Sequence, residues 1–172
     1  MCLVLHYVTA LLCFVYMLQI SSSDNNASND NLNPAWSYCF EFTWFGPTYD
    51  NTTRYNGTCS DYLEERGVDG IPCSPPIVIT YNGTFPDMDY LWKYHRSSIL
   101  CRRSTGQVCA RYAFYSNGAM QNATYMCTRV QVEGEGPVTR GCFKQKVRDD
   151  VVEVCACESG RGIYMPCNLN FH

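Results

Sequence analysis

The chain has 172 residues and a mixed, mildly acidic charge, with 13 Lys and Arg against 16 Asp and Glu and a formal net charge of −3. This length is enough for one folded domain once the apolar N-terminal segment is set aside. The charges form no basic stripe, so nucleic acid is not an expected partner. The sequence also contains 12 Cys, a number that directs attention to disulfide bonds.

The N-terminal segment is apolar. Leu3 to Ile20 contains no Lys, Arg, Asp or Glu and is followed by Ser21, Ser22 and Ser23. This pattern predicts a secretory signal peptide over residues 1–23. The alternative is an uncut membrane anchor, because the segment is nearly long enough to span a bilayer. Cys2 and Cys13 lie inside this segment and are not counted in the disulfide framework.

A polar stretch follows, and its composition predicts a disordered leader over residues 24–34, a folded domain over 35–168 and a short tail over 169–172. Five Asn-x-Ser/Thr sequons are expected glycosylation sites: Asn26, Asn51, Asn56, Asn82 and Asn122. A signal segment and sequons together indicate an oxidising, extracellular destination, where cysteines form disulfides rather than zinc sites.

The first half of the folded region contains short strands. Tyr38 to Trp44 alternates aromatic with other residues, which is typical of a strand that ends at Gly46-Pro47. Ile77 to Tyr81 is strand-prone, and Asn82-Gly83 supplies a turn. Helix signals are weak and short, at Ser60 to Arg66 and at Met88 to Ser98.

The second half has a clear hairpin signal. Val108 to Tyr115 and Ala123 to Val132 flank the turn Ser116-Asn117-Gly118, and Val147 to Cys157 predicts a further strand. The sequence therefore predicts a small, disulfide-rich, all-β domain.

The order of the ten remaining cysteines carries a family resemblance. Val108-Cys109-Ala110 begins a strand that returns to Cys127, Gly141-Cys142 follows, and Cys155-Ala156-Cys157 precedes the terminal pair Cys167-Asn168. This pattern resembles the lymphocyte-antigen-six/urokinase-receptor family of three-finger domains. The family usually has two adjacent cysteines where this chain has Cys155-Ala156-Cys157, and the segment from Cys39 to Cys101 is longer than a usual first finger.

The resemblance implies a three-finger-like fold with an enlarged first finger and five disulfides that use every remaining cysteine. It also implies that the Asn168 side chain ties the C-terminus to the first strand. The implied pairs are Cys39–Cys109, Cys59–Cys73, Cys101–Cys127, Cys142–Cys155 and Cys157–Cys167.

Catalytic and metal-binding patterns are weak. Beyond the signal segment the only histidines are His95 and the terminal His172, and His95 is expected to be a surface residue. Cys155-x-Cys157 has an unusual spacing for zinc. We therefore expect no catalytic residues, metal or cofactor.

The expected function is protein binding. Loops on a rigid scaffold commonly carry binding residues, and the segment Asp87 to Arg96 mixes aromatic with charged side chains. The resemblance implies a secreted, non-enzymatic modulator of a receptor, channel or secreted signal. The alternatives are a membrane-tethered adhesion or signalling protein at the cell surface, with the N-terminal segment uncut, and a secreted enzyme of unrecognised type. The candidate partner-binding residues are Trp92, Tyr94, Arg96, Tyr115 and Met120.

Overall fold

The computed structural model describes residues 32–47, 59, 72–132, 134, 136–169 and 171. The expected signal segment, most of the leader, the candidate helix Ser60 to Arg66, three sequons (Asn26, Asn51, Asn56) and His172 lie outside the described residues. The elements are β1 (Tyr38–Phe40), β2 (Phe42–Trp44), β3 (Ile77–Val78), α1 (Met88–His95), β4 (Leu100–Arg102), β5 (Val108–Ser116), β6 (Ala119–Thr128), β7 (Val130–Val132), β8 (Gly136–Val138), β9 (Gly141–Val147), β10 (Asp150–Cys157) and a 3₁₀ turn (Cys167–Leu169).

The fold is small, disulfide-rich and all-β apart from one described helix, as the sequence predicts. Its main sheet has six strands in the order β3-β2-β6-β5-β10-β9, and two-stranded sheets pair β1 with β4 and β7 with β8. The predicted central hairpin is confirmed as β5–β6. Asn117 and Gly118 at its turn have φ of 51° and 76°, the positive values that a tight hairpin turn requires.

The edges of the predicted strands differ in detail. The segment Val147 to Cys157 contains a turn at Arg148-Asp149, so it divides between the end of β9 and the whole of β10. The predicted stop after Trp44 is confirmed at Gly46, which has a φ of 93°. A Cβ there would lie 1.9 Å from the carbonyl oxygen of Gln121, so only glycine fits between β2 and β6.

The core lies between one face of the main sheet and α1. Phe42 and Tyr125, directly opposite each other on β2 and β6, stack with ring centroids 4.6 Å apart. Met88 and Leu91 of α1 pack against the same cluster. Burial of each such side chain contributes roughly 1.5–3 kcal/mol. The full buried cluster is Phe40, Phe42, Trp44, Met88, Leu91, Ile99, Ala123 and Tyr125.

Five disulfides join the pairs that the family resemblance implies. Cys39 and Cys101 are opposite each other on β1 and β4, and Cys109 and Cys127 are opposite each other on β5 and β6. The bridges Cys39–Cys109 and Cys101–Cys127 therefore connect the small sheet β1–β4 to the central hairpin at both of its strands.

Asn168 fixes the C-terminal segment to β1, as the resemblance implies. Its side chain is fully buried, and its Oδ1 accepts a hydrogen bond from the Phe40 backbone N–H at 3.1 Å. Its Nδ2 donates to the carbonyl oxygens of Phe40 at 3.2 Å and Ala110 at 3.3 Å. One side chain thus joins three segments of the fold.

Candidate protein-binding surface

The helix α1 lies in the long segment between Cys39 and Cys101 and starts with a side-chain cap. Oδ1 of Asp87 accepts a hydrogen bond from the Tyr90 backbone N–H at 3.0 Å. Asp89 occupies the first turn, whereas Lys93 and His95 occupy the last, an arrangement that complements the helix dipole. These local features make a helix of eight residues here, where the sequence signal is weak.

Trp92 lies on the inner face of α1, which corrects the prediction that it is an exposed binding residue. This side chain is partly buried, packs against the core cluster and meets the Phe40 ring edge-on at 6.3 Å between centroids. Arg96 places its guanidinium over the Trp92 ring at 5.6 Å. Trp92 follows the buried residues Met88 and Leu91 at helical spacing, so the helix turns it toward the core. Trp92 is therefore mainly a packing residue, not an exposed anchor.

The outer face of α1 carries two exposed tyrosines. Tyr90 is 53% exposed and Tyr94 is 49% exposed, and their ring centroids lie 4.9 Å apart. The His95 ring is 5.4 Å from that of Tyr90, and the Lys93 ammonium lies 4.9 Å from the Tyr94 centroid. Hydrogen bonding to Tyr94 raises the pKa of Lys93. We call Tyr90, Lys93, Tyr94 and His95 the tyrosine face.

Tyr90 was missed by sequence reasoning, which selected Trp92, Tyr94 and Arg96 from this segment. Helical spacing is the signal that separates these residues. Positions 88, 91 and 92 share the buried side of α1, so residues 90, 93 and 94 lie on the opposite side. His95 is exposed, as expected for a surface histidine.

Tyr115 and Met120, the other two predicted binding residues, flank the β5–β6 turn and are only partly exposed. The β5–β6 pairing shifts register between Phe114 and Tyr115, and both Tyr115 and Met120 are partly buried. Met120 packs against the core cluster, and the Tyr115 hydroxyl donates to Glu153 Oε1 at 3.4 Å. They line a pocket of about 390 Å³ with Arg111, Lys144, Glu153 and Phe171.

An ion-pair network forms the polar wall of that pocket, and sequence reasoning missed it. Arg111 on β5 and Glu153 on β10 are both buried and paired, and Lys144 on β9 contacts the other carboxylate oxygen at 3.0 Å. Arg111 also donates to the backbone carbonyl of Phe171. Burial opposes ionisation of Glu153, but hydrogen bonding to Lys144 and the charge of Arg111 outweigh it and lower its pKa. Oppositely charged residues on strands predicted to be neighbours are the sequence signal that could have indicated this network.

The two described sequons differ in exposure. Asn82 is exposed, and its Oδ1 accepts hydrogen bonds from the Thr84 backbone N–H at 3.1 Å and the Thr84 hydroxyl at 2.8 Å. Asn122 is only 3% exposed, and its Oδ1 has no hydrogen-bond partner among the described residues. The sequence predicts a glycan at Asn122, whereas the side chain is buried on β6.

The cysteines engage one another rather than a metal. The sulfurs of Cys39, Cys101 and Cys127 lie within 4.8 Å of one another, a spacing that could suggest a metal site. Each of these cysteines belongs to a disulfide, as do Cys155 and Cys157, so their sulfurs are not thiolate ligands.

Comparison with protein-family models, with curated proteins and with solved structures gives no significant match. The likeness to three-finger domains therefore rests on the cysteine pattern and remains a prediction. Within the described part of the chain, no helix is both long and apolar enough to cross a membrane.

Proposed function

We propose that this protein is a secreted, non-enzymatic binding domain that modulates a receptor, channel or secreted signal through protein contacts made by the tyrosine face of α1. The observation that carries the proposal is the exposed pair Tyr90 and Tyr94 on a helix whose opposite side is fixed in the core. Tyrosine gives a large contact area at low cost in side-chain entropy, and it is enriched among interface hot spots.

The rigidity of the scaffold supports this role. The end of α1 leads directly to Leu100 and Cys101, where β4 pairs with β1 and the Cys101–Cys127 bridge holds the central hairpin. A surface held in this way loses little conformational freedom on binding, which improves affinity for a given contact area.

The compartment and the family are part of the same proposal. Disulfides persist in oxidising compartments, and five of them stabilise a domain with a small core, which supports an extracellular location. The identity between the observed and the implied pairs supports a divergent three-finger domain with an enlarged first finger. N-terminal sequencing of the secreted product distinguishes this proposal from a membrane-tethered protein, which would retain residues 1–23.

The test uses the full chain secreted from a eukaryotic host, labelled and applied to a panel of cells to find a surface partner by affinity capture. The variant Tyr90→Ala/Tyr94→Ala should weaken partner binding at least about tenfold, as expected for hot-spot tyrosines. A matched control is Tyr81→Ala/Tyr164→Ala, because these tyrosines are 82% and 75% exposed and lie outside α1. Equal binding by the two double variants would show that the tyrosine face is not the interface.

A further inference from the structure

A second surface, remote in sequence from the tyrosine face, concentrates arginines. A pocket of about 390 Å³ lies where the chain entering β1, the chain leaving β4 and the loop after β10 meet. Its charged lining consists of Arg102, Arg103, Arg161 and Glu158, and the Trp36 ring forms part of its wall. We call these five residues the basic pocket. Among the described residues, three guanidinium groups and one carboxylate line the pocket, so positive charge is in excess.

Backbone hydrogen bonds hold the three contributing segments together. The Arg103 N–H donates to the Ser37 carbonyl at 2.9 Å, and Ser37 forms a β-bridge with Arg161. The Gly162 N–H donates to the Trp36 carbonyl at 3.0 Å. The Cys157–Cys167 disulfide closes the loop that carries Arg161. The arginines are therefore brought together by the fold and do not depend on a ligand to converge.

The three arginines play different parts. Arg103 is engaged by the protein: its Nη1 contacts Glu158 Oε1 at 2.8 Å and donates to the Gln107 carbonyl at 3.1 Å. Arg102 is exposed and lies over the Trp36 ring, with its guanidinium carbon 3.8 Å from the ring centroid. This cation–π contact restricts the guanidinium and leaves N–H groups able to donate to a ligand. Arg161 is exposed and also lines the pocket.

We propose that the basic pocket binds the sulfate ester of an extracellular sulfated glycan. The planar fork of an arginine matches two oxygens of a tetrahedral oxyanion, and Arg102 and Arg161 can supply two such forks. Ser104 and Thr105, exposed at the rim, add hydroxyl donors. A phosphate ester offers the same oxygen geometry. The extracellular location expected for this chain favours a sulfate ester over a phosphate ester. The inference rests on the same extracellular location as the proposed function but uses a different surface.

The experiment measures binding of the full secreted chain to a heparin hexasaccharide, to the same hexasaccharide after desulfation, and to inositol hexakisphosphate, by calorimetry at physiological salt. We expect the sulfated hexasaccharide to bind and the desulfated one not to bind. Arg102→Gln/Arg161→Gln should reduce affinity at least about tenfold, because charge-assisted hydrogen bonds are the stronger ones. Binding of the hexakisphosphate alone would overturn the glycan assignment.

Control variants separate the pocket from net charge. Arg140→Gln/Lys146→Gln removes the same charge from exposed positions outside the pocket and should leave affinity within about twofold. An equal loss in both double variants would overturn the proposal. Glu158→Gln should strengthen binding, since it removes a negative charge from the pocket.

Single variants guard against misfolding, because Arg102→Gln also removes the cation–π contact with Trp36. Arg161→Gln alone changes an exposed side chain and should still weaken the hexasaccharide several-fold. Unchanged affinity in Arg161→Gln would contradict the site as drawn. Neither change touches the tyrosine face, so partner capture by Tyr90 and Tyr94 should be unaffected. Loss of one activity without the other thus identifies which proposal has failed.

Discussion

The side-chain amide of Asn168 forms two hydrogen bonds with the backbone of Phe40, 128 positions earlier in the chain. One bond saturates the N–H and the other the carbonyl of a fully buried residue in β1. A third bond reaches Ala110 on β5, so the C-terminal turn, the small sheet and the main sheet share one polar contact. Segments that are far apart in the sequence are therefore joined directly in the fold.

Replacing Asn168 with alanine should be strongly destabilising. The Phe40 N–H and carbonyl and the Ala110 carbonyl would all lose a partner in a dry environment, and each unsatisfied buried group costs about 1–3 kcal/mol. We expect the free energy of unfolding to fall by about 3 kcal/mol and secretion to fall with it. Asn168→Asp should not rescue stability, because a carboxylate cannot donate to the two carbonyls. Urea unfolding followed by tryptophan fluorescence measures the change, and a loss below about 1 kcal/mol would contradict the assigned role.

Trp92 and Tyr94 allow the two sides of α1 to be compared. Trp92→Ala removes a ring packed on Phe40 and should reduce the free energy of unfolding by about 2 kcal/mol, less than for a fully buried tryptophan. Tyr94→Ala removes an exposed ring and should change it by no more than about 0.5 kcal/mol. Chemical denaturation of both variants checks this. Equal effects would mean that the helix is not oriented as described.

Much of the fold follows from the sequence because it is set locally. The β5–β6 hairpin requires only alternating strands and a turn with positive φ at Asn117 and Gly118, and both signals are visible in the chain. The all-β class can likewise be predicted from the sequence. The disulfide pairs can be predicted because the ten cysteines occur in an order that resembles a known family.

The candidate sites are harder to predict from the sequence, because they depend on which strands are neighbours in the sheet and in what register. Arg111 and Glu153 lie 42 positions apart, and their contact depends on the register between β5 and β10. The basic pocket needs Ser37 to pair with Arg161, a contact that no local pattern indicates. Asn122 illustrates a different difficulty: its place near the predicted turn gives no sign of burial, but residues 122 to 125 of β6 are all buried.

Glu153 should make stability depend on acid pH. Its pKa is lower in the folded protein than the usual 4.5, so its contribution is fully present above the unfolded value. That contribution is lost as the pH falls through the folded-state pKa. Glu153→Gln should therefore flatten the dependence of the unfolding free energy on pH below about 5.

The same variant should be costly at neutral pH, by about 3 kcal/mol, because Arg111 is left buried without its anionic partner. Glu158→Gln is the matched control, since the Arg103–Glu158 pair is more exposed and such pairs contribute about 0–1 kcal/mol. Urea unfolding at pH 7 and at pH 4 measures both variants. If Glu153→Gln lost as much stability between the two pH values as the wild-type chain, this carboxylate would be ruled out as the cause of the acid dependence.

Glycan occupancy should differ between the two described sequons. Asn82 is exposed in a turn and should carry a glycan, whereas a glycan on Asn122 cannot be accommodated in the folded domain at 3% exposure. Site-specific mass spectrometry after enzymatic deglycosylation in heavy-oxygen water reports both positions in one sample. Full occupancy of Asn122 in secreted protein would show that β6 is placed wrongly at this residue.

The five disulfides should differ in their contribution to stability. Cys39 and Cys109 are separated by 70 positions, whereas Cys142 and Cys155 are separated by 13 and lie opposite each other in a hairpin. Loop-closure entropy predicts a contribution of about 4 kcal/mol for the first bridge and about 3 kcal/mol for the second. Paired Cys→Ala variants keep the number of cysteines even and allow a direct comparison.

We expect the Cys39→Ala/Cys109→Ala variant to lose secretion, because the bridge connects the small sheet to the central hairpin and both cysteines are fully buried. The Cys142→Ala/Cys155→Ala variant should still be secreted at reduced yield, since β9 and β10 remain hydrogen-bonded along the hairpin. Secreted yield and non-reducing peptide mapping measure both effects. In the wild-type chain the same mapping should join Cys157 to Cys167 and leave none of the ten cysteines as a free thiol. A Cys155–Cys157 bridge would contradict both the Cys142–Cys155 disulfide between β9 and β10 and the likeness to three-finger domains.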